Sequence, residues 1–160
     1  MSLSLRKIIF VFALFLLASC NSENKKDPYQ NLDRRDRIRL MQYMQEGRRL
    51  YTLYCANCHQ PDGTGLARLY PPLRNSDYMK ANKTSVICGI KYGQKGPITV
   101  NGIEFNQIMP PVPNITDLEI AEIATYIYTE FADTTQIITL NDVRVILDQC
   151  AANDSLAIKK

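Results

Sequence analysis

The pentapeptide Cys55-Ala56-Asn57-Cys58-His59 constrains this chain more than any other feature. His59 is the single histidine in 160 residues, and it directly follows a Cys-x-x-Cys pair. Three chemistries use such a pair. Two thiols at this spacing add to the two vinyl groups of one porphyrin, with the adjacent imidazole turned to the iron from the same side. A dithiol redox pair uses the same spacing, but at the start of a helix that follows a strand. Zinc usually takes four ligands. Cys88 and Cys150 would complete such a set, at spacings unlike the familiar zinc motifs. The pair here lies near the end of a predicted helix with no strand before it, which favours covalent haem.

That helix is read over residues 36–55. Ile38, Met41, Met44, Gly47, Leu50 or Tyr51, and Tyr54 recur every three or four positions, with Arg39, Gln42, Glu46 and Arg49 on the other face. Gly47 costs roughly 1 kcal/mol relative to Ala inside a helix. It falls on the apolar stripe, which marks a place where another element crosses closely. Residues 60–75 hold Pro61, Gly63, Gly65, Pro71 and Pro72 and read as a loop. Short helices are predicted over 76–80 and 84–92. Asn101-Gly102 between two alternating runs predicts a hairpin. Thr116 with Glu119 forms a capping box for a helix whose apolar face holds Leu118, Ala121, Ala124, Ile127, Tyr128 and Phe131. A last helix after Thr139 carries Val143, Ile146, Leu147 and Cys150 on one stripe. The expected fold class is all-α, four or five helices with a short β-hairpin excursion.

Three segments together resemble one family. "GRRLYTLYCANCHQPDGTG" resembles the first helix and haem-attachment site of class I c-type cytochromes. "NQIMPPVPNITDLEIAEIATYIY" resembles the distal-ligand loop and closing helix of the bacterial mono-haem members, and "YPPL" between them resembles the proximal turn. The resemblance covers about residues 40–150. It implies the cytochrome c fold wrapped around one covalent haem c, held by thioethers from Cys55 and Cys58 with His59 as one axial ligand. Bis-histidine ligation within the chain is excluded by the histidine count. Of the methionines, Met41 and Met44 sit at helical spacing facing the core, and Met79 follows Tyr78 in a short helix. Met109 lies in "IMPP", the context of the family's axial methionine. Pro71 or Pro72 would offer a backbone carbonyl to the His59 ring, and Leu73 would pack on the haem plane. Gly47 and Tyr126 match the family's close contact between its first and last helices. Tyr70, Ile90, Val100 and Phe105 fit either the haem pocket or ordinary core.

The N-terminus places the protein in the cell. Arg6 and Lys7 precede an apolar run over residues 8–18, of the length of a signal-peptide core and too short to span a bilayer. It ends in Leu17-Ala18-Ser19-Cys20, which resembles the lipobox of bacterial lipoproteins, so Cys20 is expected to carry lipid. The domain plan is a signal peptide at 1–19, a lipid-anchored linker at 20–35, the haem domain at 36–150 and a tail at 151–160. The expected location is a bacterial membrane surface, most simply facing the periplasm. Export leaves Cys88 and Cys150 as either a disulfide or two buried free thiols. Loss of Arg6 and Lys7 takes the formal net charge from +3 to +1, and no basic run points to nucleic acid.

The function implied is single-electron carriage between membrane-bound respiratory complexes by a monomeric, non-enzymatic protein. Two alternatives stand beside it. One is a fixed cytochrome subunit of a membrane oxidoreductase complex. The other is a haem-based gas sensor or peroxidase-like protein with an open sixth site.

Overall fold

The computed structural model describes Tyr29 and residues 31–157. The expected signal peptide at 1–19, Cys20, and residues 21–28 and 30 of the expected linker lie outside the described residues. Helix α1 (Arg34–Tyr54) opens two residues earlier than the periodicity predicts, because the Asp33 carboxylate accepts the Asp36 N–H at 2.9 Å and caps it. Its buried residues are Leu40, Gly47, Leu50 and Tyr51. Ile38 and Met41 do not face the core: they are 48% and 61% exposed. At about 100° per residue, Ile38 lies half a turn away from Gly47 and Met41 a third of a turn. Tyr54 shares the inward face but is exposed as well.

Helices α2 (Ala56–His59), α3 (Asp77–Ala81) and α4 (Lys83–Tyr92) follow, then strands β1 (Ile98–Val100) and β2 (Ile103–Phe105), then α5 (Asp117–Phe131) and α6 (Leu140–Ala157). The fold is therefore the predicted mostly helical one, with six helices among the described residues where four or five were expected, the short α2 being the addition, and one small antiparallel hairpin in the register Ile98↔Phe105. Asn101 and Gly102 take φ of 51° and 75°, as a two-residue hairpin turn requires. The turn is pinned to α3: Asn101 N–H donates to Asp77 Oδ1 at 2.7 Å, and Asp77 N–H donates to Asn101 Oδ1 at 3.1 Å.

The core is α1 crossing α5. A Cβ built on Gly47 would overlap the Glu122 carbonyl oxygen and stand 2.7 Å from Tyr126 Cβ. That explains the costly glycine: two helix backbones approach closely there. Around the crossing, Tyr51, Tyr126 and Phe131 pack as a triad with ring centroids 5.3–5.8 Å apart. Helix α5 has its predicted capping box at Thr116 and Glu119. Leu118 is exposed instead of joining the apolar face, since it sits in the first turn, before the helix enters the core. Helix α6 buries Val143, Leu147 and Cys150 against the rest and runs to Ala157, beyond the domain end placed at 150. Cys88 of α4 and Cys150 of α6 form a disulfide with Cα atoms 6.1 Å apart.

Candidate functional site

The Cys-x-x-Cys-His segment is set by the end of α1. Cys55 N–H closes the last turn on Tyr51 O at 2.8 Å, and His59 N–H donates to Cys55 O at 2.9 Å, so α2 begins where α1 stops. The Tyr51 hydroxyl donates to Gln60 O at 2.6 Å and holds the chain where it turns away. Burial, with the neighbouring Cys58 a smaller cause, pushes the Cys55 thiol up to about 12. A thiol-redox pair needs the opposite shift, and a helix rather than a strand precedes it. Among the described residues no cluster of three or more His, Cys, Asp or Glu is placed to hold a metal ion.

His59 is buried at 9% exposure, and its Nδ1 lies 2.9 Å from Pro71 O. The Nδ1–H donates there, because a carbonyl only accepts. Nε2 is then left with its lone pair, the tautomer needed for binding a metal. Burial lowers the ring's proton affinity, and the Pro71 bond offsets part of that shift. The neutral ring is thus the form at neutral pH.

Beside this ring lies a largely apolar cavity. Cys55, His59, Pro71, Pro72 and Leu73 form one side, and Val86, Gly89 and Ile90 of α4, Val100 of β1, and Ile123 and Ile127 of α5 form others. A second lobe shares His59, Pro71, Gln94, Ile98 and Met109, and adds Cys58, Tyr70 and Phe105. The crevice thus gathers Cys55, Cys58, His59, Pro71, Pro72, Leu73 and Met109. Tyr70, Ile90, Val100 and Phe105 line it as well.

Met109 is held by its backbone. Its N–H donates to Gln94 O at 3.0 Å, and Gln94 N–H donates to Met109 O at 2.9 Å. Gly93, at φ 80°, lets the two segments meet: a Cβ there would stand 2.6 Å from Met109 O. Met79 also reaches the first lobe. It is 1% exposed, in the core, with its carbonyl accepting the Tyr128 hydroxyl at 2.8 Å. His59 and Met109 are the two ligand-type residues common to both lobes.

The residues present fit a haem. The buried backbone of Gly89 faces open space, since a Cβ there would meet nothing within 4 Å, although α4 is packed into the fold. Such room on an apolar wall, beside two thiols and a histidine with a free nitrogen, suits a flat apolar ring. Sequence reasoning missed Gly89 and Gln94. The buried glycine of a short helix was the available signal for the first; nothing local marks the second.

Residues 44–130 match the family model described as Cytochrome c. Over 96 residues the chain is 29% identical to cytochrome c-552 of Thermus thermophilus, covering 58% of this chain and 72% of that protein. A second Thermus thermophilus cytochrome c-552 is also 29% identical over 96 residues, and the match covers 64% of its length. The fructose dehydrogenase cytochrome subunit of Gluconobacter japonicus is 30% identical over 105 residues, 63% of this chain. The chain spans 22% of that subunit's length.

Proposed function

The chain belongs to the cytochrome c family, and from that premise we propose that it carries single electrons while tethered to a membrane by lipid on Cys20. Family membership brings one covalently bound haem c, whose iron gains and loses one electron. The residue roles proposed are these. Cys55 and Cys58 supply the thioether sulfurs. His59 would offer Nε2 to the iron, while Pro71 O keeps the proton on Nδ1 and fixes the ring's orientation. Met109 would offer its sulfur, and Leu73, which lines the same cavity, would lie against the ring.

The observation that carries this reading is the crevice shared by His59 and Met109. A thioether opposite an imidazole raises the reduction potential relative to two imidazoles. The protein's own part is to hold both ligands, to keep the ring in an apolar wall and to leave no open position for substrate. That separates a carrier from a sensor or peroxidase. The apolar lining excludes water, so little has to rearrange when the charge changes.

The Gluconobacter relative favours a second reading, a cytochrome subunit fixed within a membrane oxidoreductase. The donor and acceptor are in either case membrane-bound redox complexes. Among the described residues no helix is long and apolar enough to cross a membrane. The linker and lipid at Cys20 would therefore supply the attachment, on the periplasm-facing side.

A ferric spectrum through the near infrared tests the ligand set. The weak sulfur-to-iron band at the red edge of the visible is expected in the wild type and in Met79→Leu, and absent in Met109→Ala. Its survival in Met109→Ala, or its loss in Met79→Leu, overturns the assignment of Met109.

A further inference from the structure

Electron carriage leaves two features unexplained. Helix α6 lies beyond residues 44–130, the segment matched by the family. The Cys88–Cys150 disulfide ties this added helix to α4 across a sequence separation of 62. We infer that the disulfide is a positioning device: through α4 it braces the Met109 loop. The inference rests on the reading of Met109 as the axial ligand.

Helix α4 has two working sides. Val86 and Ile90 line the haem cavity. Cys88 lies two residues from each, about 200° around the helix, so it is on the side turned away from the cavity. At that outer side the disulfide joins it to α6. Four hydrogen bonds tie the last turn of α4 and Gln94, two residues past its end, to the segment 109–115 that carries Met109. Two are the reciprocal Gln94–Met109 backbone pair, at 2.9 and 3.0 Å. The third runs from Val112 N–H to Ile90 O at 3.2 Å, and the fourth from Lys91 Nζ to Ile115 O at 2.9 Å. A displacement of α4 therefore moves the cavity wall and the Met109 backbone together.

Without the bridge, α6 would keep a modest hold. Among its described side chains Val143 and Leu147 are buried besides Cys150, Ile146 packs partly buried against the core, and Val145 is half exposed. Arg144 reaches Asp117 at 3.8 Å with its own side chain well exposed, a pair of little worth. An end helix held by few buried apolar groups among its described side chains opens locally at lower cost than the core. The covalent link removes that freedom, and α4 cannot leave α6 either.

The bridge is opened chemically by a water-soluble phosphine: phosphine and one water give phosphine oxide and two thiols, so the disulfide takes up two electrons and two protons. The haem thioethers are not disulfides and stay intact. The test uses the full-length holoprotein, with iron kept ferrous by ascorbate in both arms. Amide hydrogen exchange is followed at Gln94, Met109 and, as a reference within α5, Ala124. Opening the bridge is expected to cut protection at Gln94 and Met109 at least tenfold more than at Ala124. In a Cys150→Ser holoprotein the sulfur-to-iron band should weaken and the reduction potential fall. A Cys150→Ser chain that does not accumulate leaves the phosphine arm to decide, because that protein is already folded.

The brace is overturned if exchange at Gln94 and Met109 is unchanged while amides within α6 speed up. It is equally overturned if all three amides lose protection in parallel, which marks global stability alone. A wild type without the methionine band, but with the selective exchange response, removes Met109 as ligand and leaves the brace standing.

Discussion

Gly47 shows how much can rest on one missing methyl group. Alanine would favour the helix by roughly 1 kcal/mol. Against that, its Cβ would overlap the Glu122 carbonyl and press on Tyr126, both parts of a neighbouring helix that must shift as a unit. Overpacking of this kind costs about 1–3 kcal/mol, so the clash outweighs the propensity. Gly47→Ala is expected to lower the thermal midpoint of the holoprotein, while the visible spectrum at room temperature stays that of the wild type. A midpoint that rises would mean the helices part without cost. The glycine was legible in the sequence because it stood at a costly position on an apolar stripe. Ile38 and Met41 were misjudged for a related reason: without knowing where α5 crosses, the same helix offers more than one apolar phase. Which proline serves His59 needed the ring's orientation, which only the structure supplies.

Two helices begin with the same device. Thr116 and Glu119 exchange hydrogen bonds at the start of α5, and Thr139 and Asp142 do so at the start of α6, with N–H to carboxylate distances of 2.8 Å in each. These bonds hold both carboxyls below their ordinary range: for Glu119 the Thr116 backbone bond is the larger cause, for Asp142 the Thr139 hydroxyl bond. The folded state therefore binds protons less readily than the unfolded one. The stability this adds is fully present above the unfolded pKa values near 4. It is lost as pH falls through the folded values. Both groups are largely exposed, so the joint effect is about 1 kcal/mol or less. Denaturant midpoints measured between pH 6 and pH 3 should fall less steeply in an Asp142→Asn, Glu119→Gln double variant than in the wild type. Equal slopes would remove the caps from the acid response. Devices of this kind are local, which is why the capping box and the Asn101-Gly102 turn could be read from the chain. The extension of α6 to Ala157 could not, because its last turns carry no apolar stripe. Gln94 could not either: its part is a backbone pairing with a residue far along the chain, and its side chain signals nothing.

At the scale of the whole molecule the question is how a domain with so little net charge finds its partner. With Arg6 and Lys7 removed the charge is about +1, so long-range steering is weak, and what remains is screened within about 8 Å at physiological salt. A tether answers this differently. The proposed lipid tether would confine carrier and acceptor to one surface, where the effective concentration reaches about the millimolar range. Two or three acyl chains on Cys20, at about 0.8 kcal/mol per buried CH₂, would hold the protein there firmly. Wild-type protein should therefore stay with membranes through a high-salt wash and leave only with detergent. A Cys20→Ser chain that is still exported should appear in the soluble fraction with the same visible spectrum. Its oxidation by acceptor-bearing membranes should depend on its bulk concentration, unlike that of the anchored form. Release of the wild type by salt alone would remove the lipid from the account. A wild type that leaves detergent solution only as a stoichiometric complex would make the domain a fixed subunit, with the same crevice and ligands serving an electron path inside one assembly.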